Sequence, residues 1–171
     1  MRKHLSHPTL RSMLLMMLSI ALLSSLGVPP ALAETISRSA EVKASASAVW
    51  SLIGPFCAIK AWLPPVGECI EDGKAPSTRI LVTKDGKTAF VEKQTARNEA
   101  ERSYSYAFLA SPLPVTDYAS TIKVTANADG TSTVTWSGSY TPDQGKETAA
   151  KEALTGVYEA GLSEIKTRLA K

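Results

Sequence analysis

The chain has 171 residues, with 19 Lys and Arg against 16 Asp and Glu, two histidines and two cysteines. Arg2, Lys3, Arg11 and both histidines, His4 and His7, lie at the very start, so residues 34–171 are balanced in charge and free of histidine. That part of the chain has no basic surface for nucleic acid and no means of Ser-His-Asp catalysis, Cys-His catalysis or histidine-ligated metal binding.

Residues 1–33 read as a secretory signal peptide. A basic start leads into the apolar run Met13–Leu26, broken only by serines, then Pro29-Pro30 and the small-residue site Ala31-Leu32-Ala33. Cleavage after Ala33 is expected, leaving one domain over residues 34–171 in the periplasm or outside the cell. The apolar run is shorter than the about 20 residues of a membrane span, and no later run reaches that length.

Glu34–Ala44 alternates loosely and predicts a first strand. Ser45 is a good N-cap for a short helix over Ala46–Ile53, ended by Gly54-Pro55. Phe56–Leu63 suits a second short helix, stopped by Pro64-Pro65. Strands are then expected over Val66–Glu71, Thr78–Lys84, Thr88–Arg97, Arg102–Ala110, Asp117–Asn127 and Thr131–Tyr140, with hairpin signals at Asp85-Gly86 and Asp129-Gly130. From about Gln144 the apolar residues Leu154, Val157, Tyr158, Gly161, Leu162, Ile165 and Leu169 form one helical stripe to the chain end. Glu147–Lys151 and Glu164–Arg168 are helix-stabilising pairs in the favourable order. Tight turns make strand neighbours antiparallel. The pattern is therefore an α+β domain, a curved six- to seven-stranded sheet wrapped around one long C-terminal helix.

Ala48-Val49-Trp50-Ser51-Leu52-Ile53-Gly54, Phe56 through Trp62-Leu63-Pro64, Thr78-Arg79, Val91-Glu92 and Tyr104-Ser105-Tyr106 follow one another in this chain. Pro112-Leu113-Pro114-Val115 with Tyr118, Val134-Thr135-Trp136 and Gly156 through Leu162 come after them. In this order the stretches resemble the SRPBCC superfamily, the START-like and birch-pollen-allergen-like helix-grip domains. They are most similar to its bacterial polyketide cyclase/dehydrase and lipid transport branch, including exported MxaD-like proteins. The resemblance implies a cavity between sheet and long helix; the superfamily uses that fold for lipid carriers, receptors and cyclases alike.

Alternation places Tyr104, Tyr106 and Phe108 on one face of the fifth strand, Tyr118, Ser120, Ile122 and Val124 on one face of the sixth, and Val134, Trp136 and Gly138 on one face of the seventh. These faces are apolar with a few hydroxyls and one indole N–H. They suit either a closed core or a pocket for a mostly apolar ligand with a polar end. Trp62 reads as a packing anchor or as a gate to such a pocket, Tyr158 offers it a hydroxyl, and Gly161, a gap in the helical stripe, marks either a close packing contact or room for ligand.

Arg79 and Glu92 sit at equal distances from the Asp85-Gly86 turn, so they are expected directly opposite on one face. On the concave face they would neutralise each other and orient a ligand. On the convex face they would form an exposed ion pair, the arrangement favoured because charges are seldom fully buried. Glu92 is the one weak candidate for a general acid, and no second carboxylate is paired with it. Cys57 and Cys69, in an exported chain, are expected to form a disulfide.

The reading favoured by these residues is a periplasmic binding protein for a small hydrophobic or amphipathic molecule, lipid- or polyketide-like, without catalysis and with no cofactor or metal. Its ligand-binding residues would be Trp62, Arg79, Glu92, Tyr104, Tyr106, Phe108, Tyr118, Ser120, Trp136, Tyr158 and Gly161. Two alternatives remain. One is a cyclase- or dehydratase-like enzyme using Glu92, Arg79 and tyrosines. The other is an accessory protein of an exported enzyme system, with a periplasmic protein partner.

Overall fold

The computed structural model describes residues 32–170, so the expected signal peptide, through Ala31, lies outside the described residues. Its elements are β1 (Glu34–Val42), α1 (Ala46–Ile53), a 3-10 turn (Phe56–Ala58), α2 (Ile59–Trp62), β2 (Val66–Glu71), β3 (Thr78–Thr83), β4 (Ala89–Asn98), β5 (Ser103–Ala110), β6 (Val115–Ala126), β7 (Ser132–Pro142) and α3 (Glu147–Leu169). All seven strands form one sheet in the order β1-β7-β6-β5-β4-β3-β2, each pair antiparallel.

Local chemistry sets these boundaries. The Ser45 hydroxyl accepts from the Ala48 amide at 3.3 Å and opens α1, whose buried Ala46, Val49 and Ile53 face the core. Gly86 and Gly130 take φ of 70° and 83° in the β3–β4 and β6–β7 turns, a conformation that costs glycine little. The long helix α3 begins at Glu147, later than the expected start near Gln144. The Glu147 carboxylate accepts from the Gly145 amide at 2.9 Å at that end, while the second expected pair, Glu164–Arg168, is present at 2.9 Å.

The helix does not lie over the middle of the sheet. It is seated on β1 and β7, where Arg38 of β1 reaches Glu159 at 3.0 Å and Thr155 at 3.4 Å. The short helices close one end, and the Cys57–Cys69 disulfide ties the 3-10 turn to β2. None of the described helices is long and apolar enough to cross a membrane.

Candidate functional site

Between the sheet and α3, displaced toward β3 and β4, is a cavity of about 140 Å³. Ile59 of α2, Leu63 just after it, and Leu154 and Val157 of α3 form one wall. Leu81, Phe90, Glu92, Tyr106, Phe108, Tyr118 and Trp136 form the sheet wall, and Leu113 and Thr83 stand near its half-buried rim. The lining is almost entirely hydrocarbon and aromatic ring.

Five of the expected ligand contacts are therefore on the wall: Glu92, Tyr106, Phe108, Tyr118 and Trp136. Six are not. Trp62 is fully buried, edge-to-face against Trp136 with centroids 5.5 Å apart, and is a core anchor and not a gate. Gly161 marks the close contact and not ligand room: a Cβ there would stand 2.9 Å from the Trp136 ring and 3.1 Å from Leu63 and Trp62. Its bare Cα lets two indoles close against α3. Tyr104 is buried against Phe56, at 5.7 Å between centroids, behind the wall. Tyr158 and Ser120 lie behind Trp136 and Tyr118, linked to them by hydrogen bonds. Arg79 lies beneath the aromatic floor. Sequence reasoning missed Leu81, Phe90 and Leu154, which read as ordinary core because an apolar wall carries no distinguishing chemistry.

The register expected for Arg79 and Glu92 holds, since they are directly paired across β3 and β4. The exposed placement does not. Both are buried, Arg79 completely. The guanidinium donates from Nε to Glu92 Oε2 at 2.6 Å and from Nη1 to the Phe56 carbonyl, and it lies 3.9 Å from the Phe56 ring centroid and 5.2 Å from that of Tyr106. Ring faces and a fixed carbonyl replace the water that the cation has lost. Burial pushes the Glu92 carboxyl above its ordinary value while Arg79 pulls it back. Burial alone would lower Arg79, yet Glu92 holds it above its ordinary value, so it remains a cation.

Behind the wall runs a chain of hydroxyls whose direction one carbonyl fixes. Ser120 Oγ lies 2.8 Å from the Ser137 carbonyl, which can only accept, so the serine proton is spent there. Tyr158 must then donate to Ser120 at 2.8 Å, Tyr118 to Tyr158 at 2.9 Å, and Tyr106 to Tyr118 at 3.3 Å. Trp136 Nε1 donates to both Ser120 Oγ at 2.9 Å and Tyr106 Oη at 3.1 Å, closing the circuit. Burial pushes the phenols of Tyr106 and Tyr118 well above their ordinary value, and that of Tyr158 above it. They stay protonated at neutral pH.

A seven-stranded antiparallel sheet curved around one long helix, with a cavity between them, defines a helix-grip protein. The chain belongs to the polyketide cyclase / dehydrase and lipid transport family, whose sequence profile matches residues 33–170. Among solved structures, the protein XoxI of Bacillus cereus is 32% identical with a TM-score of 0.75, over 80% of this chain and 96% of that one. An uncharacterized protein of Bacillus thuringiensis is also 32% identical, TM-score 0.76, over 81% of this chain and 100% of that one. Norcoclaurine synthase of Thalictrum flavum, in a structure with dopamine and hydroxybenzaldehyde, shares the fold at 20% identity and a TM-score of 0.65, over 82% of this chain and 88% of that one. No curated protein matches the chain.

Proposed function

We propose that this protein binds a small, largely apolar molecule in the cavity between β3–β4 and α3 and carries or senses it without transforming it. The observation that supports this reading is the cavity wall itself, nearly all apolar, about 140 Å³ in volume and bordered by half-buried residues. A cavity of that order, apolar and dry, holds a benzene-sized molecule. A lipid with long chains does not fit it as it stands, which narrows the lipid- or polyketide-like expectation to a compact molecule. The proposed setting is the periplasm or the cell exterior, in keeping with the signal-like residues 1–33 and the Cys57–Cys69 bridge. Native mass spectrometry of the purified exported protein, followed by titration with small aromatic probes, tests the reading. A carried molecule or saturable binding in the cavity supports it; an empty protein that binds no probe rejects it.

Glu92 favours one second reading, a cyclase- or dehydratase-like enzyme, because it is a carboxyl with a raised pKa on the cavity wall. The cavity-wall tyrosines lend that reading no support, since the protons of Tyr106 and Tyr118 are committed within the Ser120–Tyr158–Tyr118–Tyr106 chain. Turnover lost in Glu92→Gln with the fold intact would establish the enzyme.

A further inference from the structure

The polar atoms on the cavity wall belong to few side chains: Thr83, Glu92, Tyr106, Tyr118 and Trp136. Thr83 Oγ1 is engaged in the hairpin, donating to Asp85 at 2.6 Å and accepting from the Thr88 amide at 3.2 Å. The two phenols and the indole have no proton left to donate, each being committed in the directed hydroxyl chain. Main-chain acceptors near the mouth are also taken, the Leu63 carbonyl by Val66 N–H and the Pro65 carbonyl by Lys84 N–H. Arg79 presents nothing to the cavity, because Phe56 and Tyr106 face its guanidinium and it is completely buried.

One atom is left. Arg79 engages Glu92 through Oε2 alone, by a hydrogen bond from Nε and a charge contact from Nη2, both at 2.6 Å; Nη2 makes no hydrogen bond but is fully buried, and among the described residues no hydrogen bond reaches Oε1. With the unpartnered Arg79 Nη2 sealed behind the wall, the side chains that line the cavity offer it an acceptor and no free donor. We propose that this acceptor sets the ligand class: a compact apolar molecule, of the size of a single aromatic ring, bearing one hydroxyl or amine N–H that is donated to Glu92 Oε1. A ligand whose polar end only accepts, such as a carboxylate, is refused. It would set its charge beside Glu92, find no free donor, and lose its hydration for nothing. This inference rests on the binding reading given above and specifies the chemistry of the same site.

The test is a set of matched probes on the unaltered protein at neutral pH: phenol, its isostere toluene, and the pair benzyl alcohol and benzoate. Binding is located by the shift of the Trp136 indole N–H resonance during titration. In an apolar cavity without an acceptor, phenol binds more weakly than toluene, because its hydroxyl is desolvated uncompensated. With Glu92 Oε1 available, phenol binds about tenfold or more tighter than toluene, as a hydrogen bond to a charged group implies. Benzyl alcohol binds and benzoate fails to saturate. Equal or tighter binding of toluene, or saturable binding of benzoate at the affinity of benzyl alcohol, overturns the donor selection and leaves cavity binding standing. If no probe moves the Trp136 indole, the binding reading falls and the ligand class falls with it.

Discussion

Trp136 of β7 and Tyr158 of α3 lie face to face, ring centroids 4.3 Å apart and planes 9° from parallel. The Tyr158 hydroxyl, beyond the stack, is the middle link of the buried chain that ends on the Ser137 carbonyl. Gly138 makes room for it, since a Cβ there would stand 2.7 Å from that oxygen. Tyr158→Phe keeps the stack and removes one hydroxyl. Tyr118 then loses its acceptor and Ser120 loses a donor, at a cost of about 1–3 kcal/mol. Urea unfolding should show a lower midpoint with an unchanged slope; an unchanged midpoint would mean that the chain adds nothing to stability.

The two helical glycines should respond in opposite directions. At Gly161 an added Cβ meets the Trp136, Trp62 and Leu63 side chains between 2.9 and 3.1 Å, so Gly161→Ala forces two packed indoles apart. A destabilisation of about 1–3 kcal/mol is expected, and Gly161→Leu costs more. Gly156 is exposed, with nothing within 4 Å of such a Cβ. Gly156→Ala should stabilise by roughly 0.5–1 kcal/mol through helix propensity alone. Thermal midpoints moving the same way in both variants would contradict this division.

The buried ion pair should be far more sensitive to halving than to removal. Arg79→Met leaves the Glu92 carboxylate without its cation in a dry site, costing about 3–5 kcal/mol. Arg79→Met combined with Glu92→Leu removes both charges and should regain most of that loss. A double-mutant cycle by chemical denaturation checks it, and strict additivity would count against the pair as a unit.

The Cys57–Cys69 bridge closes a loop with a sequence separation of 12. In the chain-entropy model a loop of that order contributes about 3 kcal/mol. Denatured but unreduced protein should therefore expose no labelling thiol, and reduction should lower the urea midpoint accordingly. Two thiols that label before reduction would disprove the bridge.

All five tyrosines have raised phenol pKa values: burial is the first cause at Tyr104, Tyr106, Tyr118, Tyr158 and Tyr140, and at Tyr140 the hydrogen bond to Glu34 adds to it, reaching about 12. An unfolded tyrosine titrates near 10. Above that pH the unfolded chain gives up phenol protons that the folded chain still holds, so unfolding is favoured. This source of stability is full below about pH 10 and is lost as pH rises through the folded values, for Tyr140 up to about 12. Phenolate absorbance should lag the free amino acid, and denaturation midpoints should fall across the same interval. Five phenols titrating together near pH 10 in folded protein would refute it.

Much of the fold is legible because turns and periodicity are local. Counting outward from Asp85-Gly86 is enough to pair Arg79 with Glu92, and the apolar stripe of α3 identifies the helix that the sheet must grip. What the count leaves open is which side curves inward. In β3 the sequence Thr78-Arg79-Ile80-Leu81-Val82 is apolar on both faces, so alternation cannot choose between them. The chain buries Arg79 and Leu81 and leaves Ile80 and its β2 partner Ile70 in solvent, at 39% and 56% exposure. That inversion becomes favourable only once Glu92, Phe56 and Tyr106 surround the guanidinium, and the last two come from outside the β3–β4 hairpin. The hydroxyl chain escapes a linear reading for the same reason: Ser120 and Tyr158 meet only after α3 is seated. At Gly161 the sequence leaves close contact and ligand room open, because the indoles that fill the space come from α2 and β7.

The off-centre seat of α3 also bears on how such a chain can change over generations. Its helix is anchored on β1 and β7, whereas the cavity is bounded on the far side by β3, β4 and the Leu113 turn. Substitutions at Leu81, Phe90 or Leu113 therefore reshape the space offered to a ligand without touching the Trp136–Tyr158 stack or the Arg38–Glu159 contact that hold the helix. One half of a continuous sheet can be revised by descent while the other keeps the domain folded, and a new specificity need not begin with a loss of stability.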